Sequence, residues 1–201
     1  MKKELSKNQL KMVSDSKLFN ELENQKIIIF DFRPRKQFIQ SSILNYSINL
    51  PSDEIKTELF ENPGIIDKKL LEEFAHTEFL RRKANELKRN FIVIIMSEDK
   101  IKKEEILKYF TLIGTKDETN ISEEIVKPLK FYITLITNKV REIGILNCGY
   151  WVFKTRFPFL VHINQEPPKI FKGINGFHGF PSIILTNRLY VGDQYHVNNY
   201  N

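Results

Sequence analysis

The chain reads as an α/β protein with a mainly parallel central sheet flanked by helices. Three observations carry that expectation. Residues 26–31 and 91–96 are continuous apolar, β-branched runs of the kind buried on both faces of a sheet. Helical spacing fills much of the chain between and after them. Beyond Phe159, Gly and Pro cluster where a regular element would be interrupted. A length of 201 residues, 41% hydrophobic and 28% charged, suits one domain with a short appendage.

Residues 7–23 set Leu10, Val13, Leu18, Phe19 and Leu22 at helical spacing, which predicts one or two amphipathic helices. The first buried strand follows at 26–31. Asn49-Leu-Pro51 and then residues 52–55 predict a short strand ending at a helix cap. Residues 67–90 are helical and charged, and deliver the chain into the second buried strand at 91–96. Helical spacing returns at 102–110 and at 128–142, where Pro128 suits a first turn. The polar stretch 114–122 between them reads as a surface loop, and 143–146 as a further strand. Gln165-Glu-Pro-Pro168, Gly173-Ile-Asn-Gly-Phe-His-Gly179 and Pro181 are linker chemistry. Residues 182–192 read as two short strands meeting at Thr186-Asn187. The expected organisation is a domain at 1–160, a linker at 161–181 and the start or remnant of a second domain at 182–201.

The single cysteine, Cys148, excludes an intrachain disulfide and fits a reducing compartment. The first residues lack the apolar core of a signal peptide, and no apolar run approaches the roughly 18 residues of a membrane span. A cytoplasmic protein is expected, with no membrane partner. The formal charge of +6 says little about nucleic acid, because Lys outnumbers Arg 23 to 8 while Ile and Asn are also abundant, a mark of A/T-rich codons. A nucleic-acid binder gathers Arg and aromatics on one face, so no nucleic-acid partner is expected.

Ile27-Ile-Ile-Phe-Asp-Phe-Arg-Pro34, Phe38 and Gln40-Ser-Ser-Ile-Leu-Asn-Tyr-Ser-Ile-Asn-Leu-Pro51 resemble the rhodanese-like domain, in the version at the amino terminus of MAP-kinase phosphatases and related pseudophosphatases. Asp31 and Arg33 match the family's Asp-x-Arg pair at the end of the first buried strand. Ser41, Ser42, Leu44, Ser47, Ile48 and Asn49 follow its Ser-Ser-His-Ile-x-x-Ala-Ile-Asn segment, with Ile43 in place of His. Ile145-Leu-Asn-Cys-Gly-Tyr-Trp-Val-Phe153 and Phe157-Pro158 resemble the terminal Leu-x-Gly-Gly-Phe turn and its trailing Tyr-Pro. Phe180-Pro-Ser-Ile-Ile-Leu-Thr-Asn-Arg-Leu-Tyr-Val-Gly192 resembles the opening of a dual-specificity phosphatase domain. The resemblance implies a three-layer rhodanese-like fold, with Asp31 and Arg33 as a structural pair.

An active rhodanese carries a Cys thiolate in the loop after its central strand, where amides converge on the anion. Here that loop is Ser97-Glu-Asp-Lys100. Ser97 cannot carry sulfur, and Glu98 and Asp99 repel an anion by roughly a kcal/mol each. The loop reads as a degenerate site, a polar turn capping the helix that follows. Cys148-Gly-Tyr-Trp-Val-Phe-Lys154 imitates a Cys-x5-Arg phosphate loop, but Tyr150, Trp151, Val152 and Phe153 are bulky and read as core, and Lys154 cannot make the bidentate contact of Arg. His76, His162, His178 and His196 are too dispersed for a metal site. Gly173, Gly176 and Gly179 lack the strand and helix a phosphate cradle needs. No catalytic residue, cofactor or metal is expected.

Residues 80–90 hold five cations and one carboxylate. By the resemblance, Arg81, Arg82 and Lys83, with Leu87 as anchor, are positioned to dock the acidic groove of a MAP kinase, although Arg89 stands where a second apolar anchor belongs; a solvated helix face is the plainer reading. The expected function is a catalytically inactive rhodanese-like interaction or scaffold module of a dual-specificity (pseudo)phosphatase-type protein, bound through surfaces such as 81–89, 97–100 and the aromatic-rich 171–190. Two alternatives accompany it. One is a MAP-kinase-docking regulatory domain of an active phosphatase. The other is a structural subunit of a large cytoskeletal or ciliary assembly, whose neighbours would pin the Lys-rich and Asn-rich ends.

Overall fold

A computed structural model describes residues 10–23, 26–43, 46–56, 68–163, 182–185 and 189–191. The chain is mixed α/β. Its central sheet has five parallel strands in the order β1 (Met12–Val13), β6 (Ile143–Leu146), β5 (Phe91–Ile95), β2 (Ile27–Asp31), β4 (Ser47–Asn49). The two apolar runs lie side by side, with Ile27 beside Phe91 and Asp31 beside Ile95. Every residue of the strands β2 and β5 is buried, because helices cover both faces.

Alternation along the strands divides the core in two. Ile28, Phe30, Ile92 and Ile94 meet α4 (Glu78–Asn85), α5 (Lys103–Leu112) and α6 (Glu123–Thr137). Ile27, Ile29, Val93 and Ile95 meet α1 (Asp15–Glu23) and α7 (Tyr150–Arg156) on the other face. The helix α2 (Arg35–Gln40) follows β2, and a two-residue β3 (Ser41–Ser42) pairs antiparallel with β7 (His162–Ile163). That pairing carries the described body past the expected boundary at residue 160. The two short strands expected in 182–192 are present as β8 (Ser182–Leu185) and β9 (Leu189–Val191), and they pair antiparallel. Residues 164–181, the rest of the expected linker, lie outside the described residues, as do 192–201.

Several local expectations need correction. The stripe at 7–23 is not helical throughout: Leu10 and Val13 belong to the approach and body of β1, and only α1 is helix. Residues 52–55 form a turn rather than opening a helix, with Glu54 and Ile55 amides returning to the Pro51 carbonyl. Pro128 sits inside α6, which begins at Glu123. Part of the polar stretch 114–122 is a 3-10 turn, Lys116–Asn120, opened by the Thr115 hydroxyl accepting from the Asp117 amide. Charged residues 67–90 break into α3 (Lys68–Phe74), α4 and a 3-10 turn, Leu87–Arg89.

Candidate functional site

From β2 the chain moves outward to β4, returns past β2 to β5, and continues outward on the other side to β6. The reversal places a switch point between the carboxyl ends of β2 and β5, where open α/β sheets form a crevice. Asp31 ends β2, and Arg33, two residues on, is fully buried beside it. Arg33 Nε donates to both Asp31 carboxylate oxygens at 3.0 and 3.1 Å, and Nη2 donates to Oδ2 at 2.6 Å. Nη2 also donates to the Ser41 carbonyl, and Nη1 to Glu98 Oε2 at 2.5 Å. The Tyr150 ring packs against the guanidinium, its centroid 3.4 Å from Cζ. Burial pulls the Arg33 pKa down, but Asp31 and Glu98 outweigh it and hold the pKa above its ordinary value. The Asn49 side-chain amide donates to the carbonyls of Asp31 and Arg33 and fixes this turn.

The loop after the central strand is thereby closed from inside the fold. Glu98, with a side chain 26% exposed, reaches inward to Arg33 instead of facing an incoming anion. Its repulsion is neutralised locally, contrary to the sequence expectation. Ser97 Oγ donates to the Asp99 carbonyl at 2.6 Å. The amides that open α7 are taken as well: Tyr150 N–H donates to the Ser97 carbonyl at 3.2 Å and Trp151 N–H to the Glu98 carbonyl at 2.9 Å. Gly149 makes this approach feasible. Its φ is +75°, and a Cβ there would lie 2.5–2.7 Å from Asp99 and Lys100 backbone atoms. The shallow hollow beside the loop, lined by residues including Met96, Ser97, Asp99 and Gly149, has no room for a water-sized sphere. The loop does not cap the next helix either: α5 starts after Lys102 without a side-chain cap.

Cys148 lies one residue before this turn, partly buried, with its thiol donating to the Gly149 carbonyl. Burial, then the charge of Asp15, push the thiol up to about 11. That environment is the reverse of the one that activates a nucleophilic cysteine. Tyr150 and Phe153 are core, as their bulk indicates, but Trp151 is 56% exposed. Lys154 donates to the Ser41 hydroxyl at 3.2 Å. Among the described residues, no three His, Cys, Asp or Glu side chains converge as metal ligands would. His76 packs its ring near Phe38, and His162 lies in β7. His178, His196 and the glycines at 173, 176 and 179 lie outside the described residues.

The docking set is divided by burial. Leu87 belongs to the core and offers no exposed anchor. Lys83 is buried too: its ammonium donates to the Ile27 carbonyl at 2.7 Å and sits over the rings of Phe79 and Tyr46. Burial draws its pKa down to about 8. Only Arg81 and Arg82 face solvent, both near Glu78. The three consecutive cations Arg81, Arg82 and Lys83 read as a surface patch in the sequence; the sheet's need to satisfy the Ile27 carbonyl draws Lys83 inside.

The chain matches no protein-family model and no curated protein. Three participants in the cluster were not singled out from sequence as its members: Tyr150, Glu98 as a ligand of Arg33, and the Ser41 carbonyl. A buried Arg with only one acid partner was the available signal, since its five donors require more than one carboxylate.

Proposed function

We propose that this chain is a catalytically silent rhodanese-like module that binds other proteins, within a protein of dual-specificity (pseudo)phosphatase type. The observation that carries the reading is the closed loop after the central strand β5. In an active rhodanese this loop holds a thiolate among converging amides. Here Ser97 stands in the loop, Glu98 is drawn onto Arg33, and the α7 amides are bonded to loop carbonyls. The parallel sheet with helices on both faces supports the resemblance, and the β8–β9 pair supports a second domain opening at 182. A cytoplasmic location belongs to the same reading; among the described residues no helix is long and apolar enough to cross a membrane.

The reading is tested by assaying thiosulfate:cyanide sulfurtransfer and phosphate-ester hydrolysis on the full chain, beside Cys148→Ser. Neither activity should rise above the uncatalysed rate in either protein. Turnover that disappears in Cys148→Ser would overturn the silent-module reading.

A further inference from the structure

We propose that Lys83 is an acylation site: its amine, set in an aromatic notch beside α4, takes the acyl group of a small neutral thioester. The site lies apart from the closed crevice and stands independently of the silent-module reading.

Two lysines are buried among the described residues, Lys83 at 9% exposure and Lys127 at 4%. Their surroundings differ in kind. Lys127 is held as a cation, with Nζ 2.7 Å from the Glu123 carboxylate while also donating to the Ser52 carbonyl. Lys83 Nζ donates to the Ile27 carbonyl at 2.7 Å, and the rings of Phe79 and Tyr46 are centred 4.6 and 5.2 Å away. None of these three groups requires the charge, since a carbonyl accepts from an amine as it does from an ammonium. The acids of the neighbouring helices are committed elsewhere. Glu78 lies by Arg81 and Arg82, Glu86 by Arg89, and Glu72 of α3 accepts from the Asn85 side-chain amide.

The notch has an inner and an outer wall. Tyr46 is 5% exposed and forms the inner one; Phe79, at 45%, forms the outer one. The two rings meet edge to face, 6.3 Å apart at 81°. A reagent therefore reaches Nζ by displacing one surface ring, without opening the core.

Burial penalises the charged form of an amine, and here it draws the Lys83 pKa down to about 8. Near neutral pH an appreciable share of this side chain carries a free lone pair, whereas an ordinary lysine is almost wholly protonated. The neutral nitrogen keeps an N–H for Ile27 while its lone pair attacks the thioester carbonyl. The N–C bond forms as the C–S bond breaks, and the proton displaced from nitrogen goes to the leaving thiolate. An amide and a thiol result, with nothing oxidised or reduced. The amide suits the site better than the ammonium, because it has no charge to desolvate and its N–H still donates to the Ile27 carbonyl. A thioester is favoured over an acyl phosphate, whose negative charge would meet the negative ring faces of Phe79 and Tyr46.

The test is to treat the full chain with S-acetyl-N-acetylcysteamine at pH 7.5 and read the initial acetylation rate of each lysine by peptide mass spectrometry. Lys83 should react about tenfold faster than exposed Lys36 and Lys103, its larger neutral fraction outweighing the weaker nucleophilicity of a less basic amine. Its rate should level off by about pH 9, while theirs climb to pH 10. Lys83→Arg should remove the fast phase and leave the Lys36 and Lys103 rates unchanged. Chain acetylated at Lys83 alone should melt about 2–4 °C above the parent. Lys83 reacting no faster than Lys36 and Lys103, a rate that climbs in step with theirs, or a lower Tm for the acetylated chain would overturn the proposal.

Discussion

Arg33 concentrates the electrostatics of the molecule in one side chain. Buried with Asp31, it satisfies a carboxylate that would otherwise be stranded beneath the crevice. Arg33→Met should therefore cost about 3–5 kcal/mol in urea unfolding, and less in an Asp31→Asn background, where the carboxylate left unpaired is the partly exposed Glu98 and not the fully buried Asp31. Lys83 acts in the other direction. Its folded pKa is about 8, against an ordinary 10.5. Between those values the unfolded chain binds more protons, so this residue adds stability as pH rises. The wild-type chain should gain about 1–2 kcal/mol on Lys83→Met between pH 7.5 and 10, less than full linkage because the ammonium lies close to the surface. A constant difference would show that the ammonium is not destabilised by burial. Cys148 has the opposite sign. With its thiol raised to about 11, the folded chain keeps a proton the unfolded chain has lost, and stability falls above pH 9 or so. The same shift predicts alkylation by iodoacetamide at pH 7.5 about a hundredfold slower than that of free cysteine.

At the scale of elements, two glycines set how closely the layers meet. Gly144 of β6 faces β1, and a Cβ there would intrude on Val13 Cγ2. Gly144→Ala should cost about 1–3 kcal/mol, most of it recovered when Val13→Ala is added, as a thermal-melt double-mutant cycle will show. Gly149→Ala has no such rescue, because its clash is with backbone and its φ is +75°. The strands were legible in the sequence because β2 and β5 are apolar on both faces and leave no alternative period. Helix α7 was indicated only by the resemblance of residues 145–153 to a strand-to-helix turn. Short β1 was not: its two residues share the spacing of the neighbouring helix, and only pairing with β6 distinguishes it. Pro128 misled for a related reason. It marks a helix start by local preference, yet α6 continues upstream through Glu123 and Glu124, whose charges suit its amino end. Of the candidate site, Asp31 and Arg33 were visible through the resemblance alone, as its Asp-x-Arg pair at the end of the first buried strand. Their third partner lies 65 residues away, beyond the reach of any local pattern.

The whole molecule turns a ligand-binding topology into a sealed one. Open α/β sheets leave a crevice at the switch point, and here side chains from β2, the β5 loop and α7 fill it with their own ion pair and aromatic ring. On the proposed silent-module reading two causes of silence are separable: the serine at position 97 where a rhodanese carries sulfur, and the closed loop around it. Ser97→Cys restores only the first. Its thiol would stand beside Glu98 and Asp99, with the Tyr150 and Trp151 amides still bonded to the carbonyls of residues 97 and 98. The two α7 amides are thereby withheld from an anion, and a persulfide or thiosulfate loses that share of the preorganised stabilisation the chemistry depends on. Ser97→Cys should therefore fold like the parent and alkylate slowly, with thiosulfate:cyanide sulfurtransfer no faster than the parent chain. Adding Glu98→Gln removes one charge but leaves the amides engaged, so the double variant should be equally inactive. If Ser97→Cys alone turns over thiosulfate, the cradle is intact and only the sulfur had been lost. The interlock between the β5 loop and α7 would then have no bearing on the proposed silence.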